Sequence, residues 1–184
     1  MNLDPLFGKN MNYSEFLQAV MNNNHNTSVV TTRCVLYIRF PPDILFSSKD
    51  AMSLFAYIYS KQAEYIVFLE KHTSEILRHP TGIIAFFSDS TLALTTAIEL
   101  MSQYLCISLD MGEGWLIDDE IWVGPARWRS ERMSFFIPPH QLWVSHSFVK
   151  HSPLPNGIGY FEGNRHQAQK LGFDYCEIKD YRDF

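Results

Sequence analysis

Residues 29–40, VVTTRCVLYIRF, constrain this chain more than any other stretch. β-Branched and aromatic residues fill the run, no breaker interrupts it, and Pro41-Pro42-Asp43 closes it. Side chains of this kind fit a pleated, buried strand, and proline cannot continue the ladder. Residues 47–72 follow, SSKDAMSLFAYIYSKQAEYIVFLEKH, with Leu54, Phe55, Ile58, Tyr65, Ile66 and Leu69 on one helical face. A strand, a break and a long amphipathic helix commit the chain to a sheet with helices packed on it.

The remaining elements read in the same way. EILRHPTGIIAFFSD (75–89) predicts two short strands around a Pro-Thr-Gly turn. SDSTLALTTAIELMSQ (88–103) opens with capping residues and continues as a helix. YLCISLDMGEGWLID (104–118) predicts a strand, a Gly-Glu-Gly turn and another strand. A short arginine-bearing helix follows Gly124-Pro125, because proline suits a helix start. PPHQLWVSHSFV (138–149) predicts a loop and a strand, and residues 154–181 predict at least two short strands. The order β-α-β-β-α-β is that of an α+β, ferredoxin-like sandwich with a C-terminal strand extension. Ahead of it, YSEFLQAVM (13–21) predicts a short amphipathic helix and NNNHNTS (22–28) a polar linker. Residues 1–28 are thus expected to form an N-terminal segment and residues 29–184 the domain.

Bulk properties exclude several functions. The formal charge of −5 and pI near 5.8 argue against a general nucleic-acid binder. Cys34, Cys106 and Cys176 are odd in number and contain no CxxC pair, so neither a zinc cage nor a disulfide framework is expected. The N-terminus has no basic segment followed by an apolar core, and no apolar run is long enough to span a bilayer. A cytoplasmic protein without a membrane span is the expectation.

Several phrases, in order, resemble the class III nucleotidyl cyclase catalytic domain. CVLYIRF (34–40) is similar to that family's first strand. EKHTSEILRHPTGIIAFFSDSTLALTTAIEL (70–100) is similar to its helix end, hairpin and next helix. MGEGWL (111–116) stands where the family has its HTGE turn. VGPARWRSERM (123–133) with LWVSHSFV (142–149) resembles GPAVNRAARL and ILVSESTY, and residues 160–181 resemble the family's tail. The resemblance runs from about Val30 to Tyr181.

The resemblance implies a ferredoxin-like cyclase fold and a set of site positions. The family holds two divalent ions with two aspartates, because hard cations take carboxylate oxygen. The first position is Arg39 here, a permanent cation, and the second is Thr81. Asp43, after the double proline, is a poor substitute ligand. The base-reading lysine falls at Leu77, and its acidic partner near Ile121, or at Glu120 with one insertion. The family's catalytic asparagine falls at Trp128, whose indole donates one hydrogen bond and accepts none. The transition-state arginine is kept, at Arg132.

The expectation is therefore a non-catalytic cyclase-homology domain without metal or cofactor, acting as a protein-interaction or regulatory module, as a homodimer or with another protein. Two alternatives stand beside it. Arg132 would serve a partner's site in a heterodimeric cyclase, or Arg39, Arg78 and Arg132 would gather around a nucleotide or polyphosphate without turnover. For Arg127, Arg129 and Arg132 the plainer reading is a solvated or dimer-facing side, with Glu131 paired locally. His140, His146 and His151 show no carboxylate or cysteine partner in register, so no metal site is expected. Ser145 and His146, as neighbours on one strand, would point to opposite faces and form no triad.

Overall fold

A computed structural model describes residues 27–46, 50–73, 75–117 and 121–182. The expected N-terminal helix at 13–21 lies outside the described residues. The elements are β1 (Thr27–Arg39), α1 (Pro42–Leu45), α2 (Ala51–Leu69), β2 (Ile76–His79), β3 (Gly82–Phe87), α3 (Ser90–Leu100), β4 (Cys106–Ile117) and β5 (Ile121–Val123). They continue with α4 (Pro125–Ser134), β6 (Gln141–Ser145), α5 (His146–His151), β7 (Ile158–Glu162), α6 (Arg165–Leu171) and β8 (Tyr175–Asp180). The sheet runs β2-β3-β1-β4-β6-β8-β7, with β5 paired to β4. Its first four strands carry the ferredoxin-like order, and the parallel β4–β6 pair joins them to the C-terminal extension.

The chain divides into two compact units. Of the described residues, one contains 27–31 together with 114–117 and 121–123, and the other contains those within 32–113 and 124–182. In the first, Trp122 is 1% exposed and its indole donates to the Thr31 carbonyl at 3.2 Å. In the second, alternation along β1 sends Cys34, Leu36 and Ile38 into the main core with α3 and the end of α2. The opposite face carries Val35, Tyr37 and Arg39. A smaller core joins Cys106, Met133, Ile137, Trp143, Leu171 and Tyr175. There Trp143 stacks on Tyr175 with ring centroids 4.1 Å apart.

Caps place the helix starts. Asp50 accepts from the backbone amides of Met52 and Ser53, Asp89 from those of Thr91 and Leu92, and Asn164 from those of His166 and Gln167.

Three sequence expectations change. Gly112-Glu113-Gly114 is no turn, because β4 runs through it unbroken. Gly114 instead makes room for Trp122, since a Cβ there would stand 2.4 Å from the indole Cζ2. The strand expected through Val149 stops at Ser145, whose Oγ accepts from the Phe148 amide and opens α5. Between β7 and β8 lies the unexpected helix α6, ended by Gly172 at φ 82°.

Candidate functional site

Of the positions that the sequence singled out, Arg39, Leu77, Arg78 and Thr81 lie near the end of β1. Cα partners across β1 and β3 are Arg39 with Gly82 and Tyr37 with Ile84, and those across β2 and β3 are His79 with Gly82 and Arg78 with Ile83. Directly paired residues share a face. Tyr37, Arg39, Leu77 and His79 therefore lie on the face that α4 covers, and Arg78 lies on the other. Gly82 is needed at this crossing, because a Cβ would stand 1.9 Å from the Ile38 carbonyl oxygen. Thr81 follows closely, its carbonyl accepting from the Phe40 amide at 2.9 Å.

Arg39 and Thr81 are thus neighbours across the strands, as the two metal carboxylates of the resembling family would have to be. Neither offers a metal an anion. Arg39 is 6% exposed, donates to the Ser134 carbonyl at 3.3 Å and lies 4.6 Å over the Phe135 ring. Thr81 joins a closed polar cluster. Tyr37 Oη lies 2.6 Å from His79 Nδ1 and 3.0 Å from Thr81 Oγ1, and the Thr81 amide donates to Nδ1 at 3.4 Å. With Nδ1 accepting, the ring proton sits on Nε2, 3.4 Å from Glu131 Oε1.

Burial raises the Tyr37 hydroxyl to about 12. The hydrogen bond from His79, helped by the charge of Arg127, holds Glu131 below the ordinary carboxylate range. Burial lowers the Arg127 guanidinium. This donor set does not fit a pair of magnesium ions, which need carboxylate oxygen in a nearly octahedral cage. Asp43 does not supply it, since its carboxylate accepts from Tyr104 Oη at 2.8 Å on the exposed surface.

The arginine helix α4 is solvated at Arg132, while Arg127 and Arg129 are half-buried. It lies close on the sheet through small residues, with Ala126, Ser130 and Ser134 buried. Ser130 Oγ donates to the Val35 carbonyl at 2.9 Å, and Ser108 Oγ donates to the Ser130 carbonyl at 2.7 Å. Arg129 reaches Asp110, which is 0% exposed, with Nε 2.5 Å from Oδ2 and Nη2 3.3 Å from Oδ1. The Met111 amide at 2.7 Å and the hydroxyls of Ser145 and Ser147 complete the carboxylate's partners. Half-buried Trp128 lies on the same helix.

The three arginines proposed as an anion site are not brought together. Arg78 lies on the opposite sheet face, 3.4 Å from Gln62 Oε1 and 4.4 Å over the Tyr59 ring. Arg132 is exposed and donates to the Lys170 carbonyl at 2.8 Å. Only Arg39 remains in the covered corner. Leu77 occupies its place in β2, Glu120 lies outside the described residues, and of Ile121 only the backbone is described.

The sequence did not point to Asp110, His79, Tyr37 or Glu131. Ser108 and Asp110 alternate with Ile107 and Leu109, a pattern that ordinarily marks a solvent-facing side of a strand. Here α4 covers that side. The histidine expectation also changes. His146 Nδ1 lies 3.7 Å from Glu162 Oε2 and 3.8 Å from Cys176 Sγ, partners far apart in sequence. Ser145 Oγ turns instead to Asp110, so the two neighbours form no triad.

This architecture is that of the class III nucleotidyl cyclase catalytic domain. The catalytic core of a rhodopsin-guanylyl cyclase with converted specificity, in complex with ATPalphaS, matches at TM-score 0.65 and 12% identity, over 83% of this chain and 98% of that one. The adenylyl cyclase CyaB from P. aeruginosa matches at TM-score 0.65 and 11% identity, over 84% and 98%. A dimeric guanylyl cyclase domain of the RhoGC fusion protein from the aquatic fungus Blastocladiella emersonii matches at TM-score 0.60 and 10% identity, over 82% and 97%. At these identities the likeness is one of fold. No protein-family model and no curated protein matches the sequence.

Proposed function

We propose that this chain is a cyclase-fold domain without metal-dependent catalysis, which works as an association or regulatory module. The observation that carries the reading is the corner formed by Arg39 and Thr81. Two adjacent positions that would have to present carboxylates hold a buried cation and a hydroxyl already bonded to Tyr37 and His79. A permanent positive charge in that corner repels divalent cations, and the Tyr37-His79-Glu131 chain fills the polar valence around it.

The positive role rests on α2. None of its residues from Ala51 to Lys61 is buried, although Met52, Phe55, Tyr57 and Tyr59 stand among them. Only Leu54 and Ile58 of this half are half-buried apolar residues, Ile58 packing on the main core, and exposed aromatics in series are characteristic of contact surfaces. A dimeric form of the Blastocladiella emersonii domain gives a precedent for self-association in this fold. The expected assembly is a homodimer.

The test combines light scattering with a cyclase assay. A mass of two chains that falls to one on Phe55→Asp with Tyr59→Asp, together with no cyclic nucleotide from ATP or GTP with magnesium or manganese, supports the reading. Cyclic-nucleotide formation that disappears on Arg132→Ala overturns it in favour of an arginine-donating enzyme subunit. A second reading, anion binding without turnover, has one observation in its favour: Arg39 Nε is buried without a hydrogen-bond partner. Calorimetric heat with metal-free ATP or polyphosphate, lost in Arg39→Met, would support it.

A further inference from the structure

We propose a transition-metal site, of the kind that takes zinc, formed by His146, Glu162 and Cys176. The three residues come from three elements of the C-terminal extension. His146 opens α5, Glu162 ends β7, and Cys176 sits in β8 directly across from Glu162. Sequence spacing gives no hint of the group, because β-sheet pairing and the turn at Ser145 assemble it.

The geometry is that of ligands around a common centre. The donor atoms are 3.7 Å apart for His146 Nδ1 and Glu162 Oε2, 3.8 Å for Nδ1 and Cys176 Sγ, and 3.9 Å for Sγ and Oε2. The first of these is well beyond a normal N–H···O hydrogen bond, so the pair is not held by one. A triangle with these sides has its centre about 2.2 Å from every corner. Zinc is bound at about 2.0–2.3 Å by nitrogen, oxygen and sulfur, so an ion lifted just out of the plane of the three donors, toward an open fourth position, meets them all once they close in by a few tenths of an ångström.

The donor types select the ion. One thiolate, one imidazole and one carboxylate suit zinc and its neighbours among the divalent transition metals, and a thiolate is a poor ligand for magnesium or calcium. Access is open from one side. The side chains of Glu162 and His146 are 64% and 35% exposed, while Cys176 closes the site from the core. The backbone under the ligands is fixed, with the His146 amide donating to the Asp174 carbonyl at 3.1 Å. Three protein ligands leave one tetrahedral position for water or for a ligand from a partner. Bound metal would tie the edge strand β7 to β8 and to the start of α5.

The test uses the full chain, freed of any affinity tag and treated with chelator, and titrated with zinc against a chromogenic chelator and with cobalt as a spectroscopic probe. One ion per chain is expected, with the visible bands of tetrahedral cobalt and a thiolate-to-metal charge-transfer band. Cys176→Ser should abolish the charge-transfer band. Glu162→Gln and His146→Gln should each weaken zinc binding at least about tenfold, the lower end of what even supporting residues cost. Cys106→Ser should leave binding unchanged. Absence of stoichiometric binding overturns the proposal, as does a cobalt spectrum without the thiolate band. Unchanged affinity in Glu162→Gln overturns it too, and that exposed position keeps the test valid if Cys176→Ser fails to fold.

Discussion

Removal of the Arg129 guanidinium is the sharpest test of how the arginine helix is held. Asp110 has no exposed surface, and Arg129 supplies its only cationic partner among the described residues. In Arg129→Ala the carboxylate keeps the Met111 amide and two serine hydroxyls but loses its countercharge in a covered site. Breaking a buried pair from one side costs about 3–5 kcal/mol, and the lower end applies because Arg129 is itself 32% exposed. For a domain of this size that lowers Tm by roughly 6–12 °C. The surface pair of Arg182 with Asp180 sets the scale, and Arg182→Ala should cost less than about 1 kcal/mol. The assay is thermal and urea unfolding of both variants, with Asp110→Asn and the double variant completing a cycle. The two losses should be non-additive, since the residues touch. A loss in Arg129→Ala no larger than in Arg182→Ala, or full additivity, would refute the clamp.

Three further outcomes follow from single contacts. Gly82→Ala should lower Tm more than any surface alanine substitution, because the added Cβ meets the Ile38 carbonyl oxygen at 1.9 Å and backbone must move. Glu131 is held below its ordinary carboxylate value by His79, so its contribution is present above the unfolded pKa near 4.5 and is lost as pH falls through the folded value. Urea midpoints from pH 6 down to pH 3 should therefore fall less in Glu131→Gln than in the parent. Burial raises the thiols of Cys34 and Cys106 to about 12 and about 11, so neither should react with a disulfide reagent at pH 8 until the protein is unfolded.

The main layers were legible because periodicity and capping dominate them. The β1 run, the α2 stripe and the Asp89 start of α3 read directly from the sequence. Two glycines misled at Gly112 and Gly114, where glycine serves close packing against Ala126 and Trp122 and not a turn. Ser145 misled in the other direction. Its strand pattern continues into HSFV, yet its hydroxyl takes the Phe148 amide and turns the chain into α5.

For the candidate site, the sequence supplied Arg39 and Thr81 by resemblance, and pairing across β1 and β3 makes them neighbours. It could not supply their partners. Tyr37, His79 and Glu131 meet only when α4 lies down on the sheet, and nothing local in the chain encodes that meeting. The same holds for Arg129 and Asp110, where two charges that look solvated in sequence neutralise one another under a helix. Arg78 shows the cost of ignoring strand parity, since one residue's shift along β2 places it on the far face from Arg39.

The most direct test of the central claim is a mass-spectrometric assay for cyclic nucleotide formed from ATP or GTP by the purified chain with manganese. The absence of carboxylates at Arg39 and Thr81 predicts no product above the protein-free blank. Product that accumulates with time and protein concentration, and vanishes in Arg132→Ala, would contradict it.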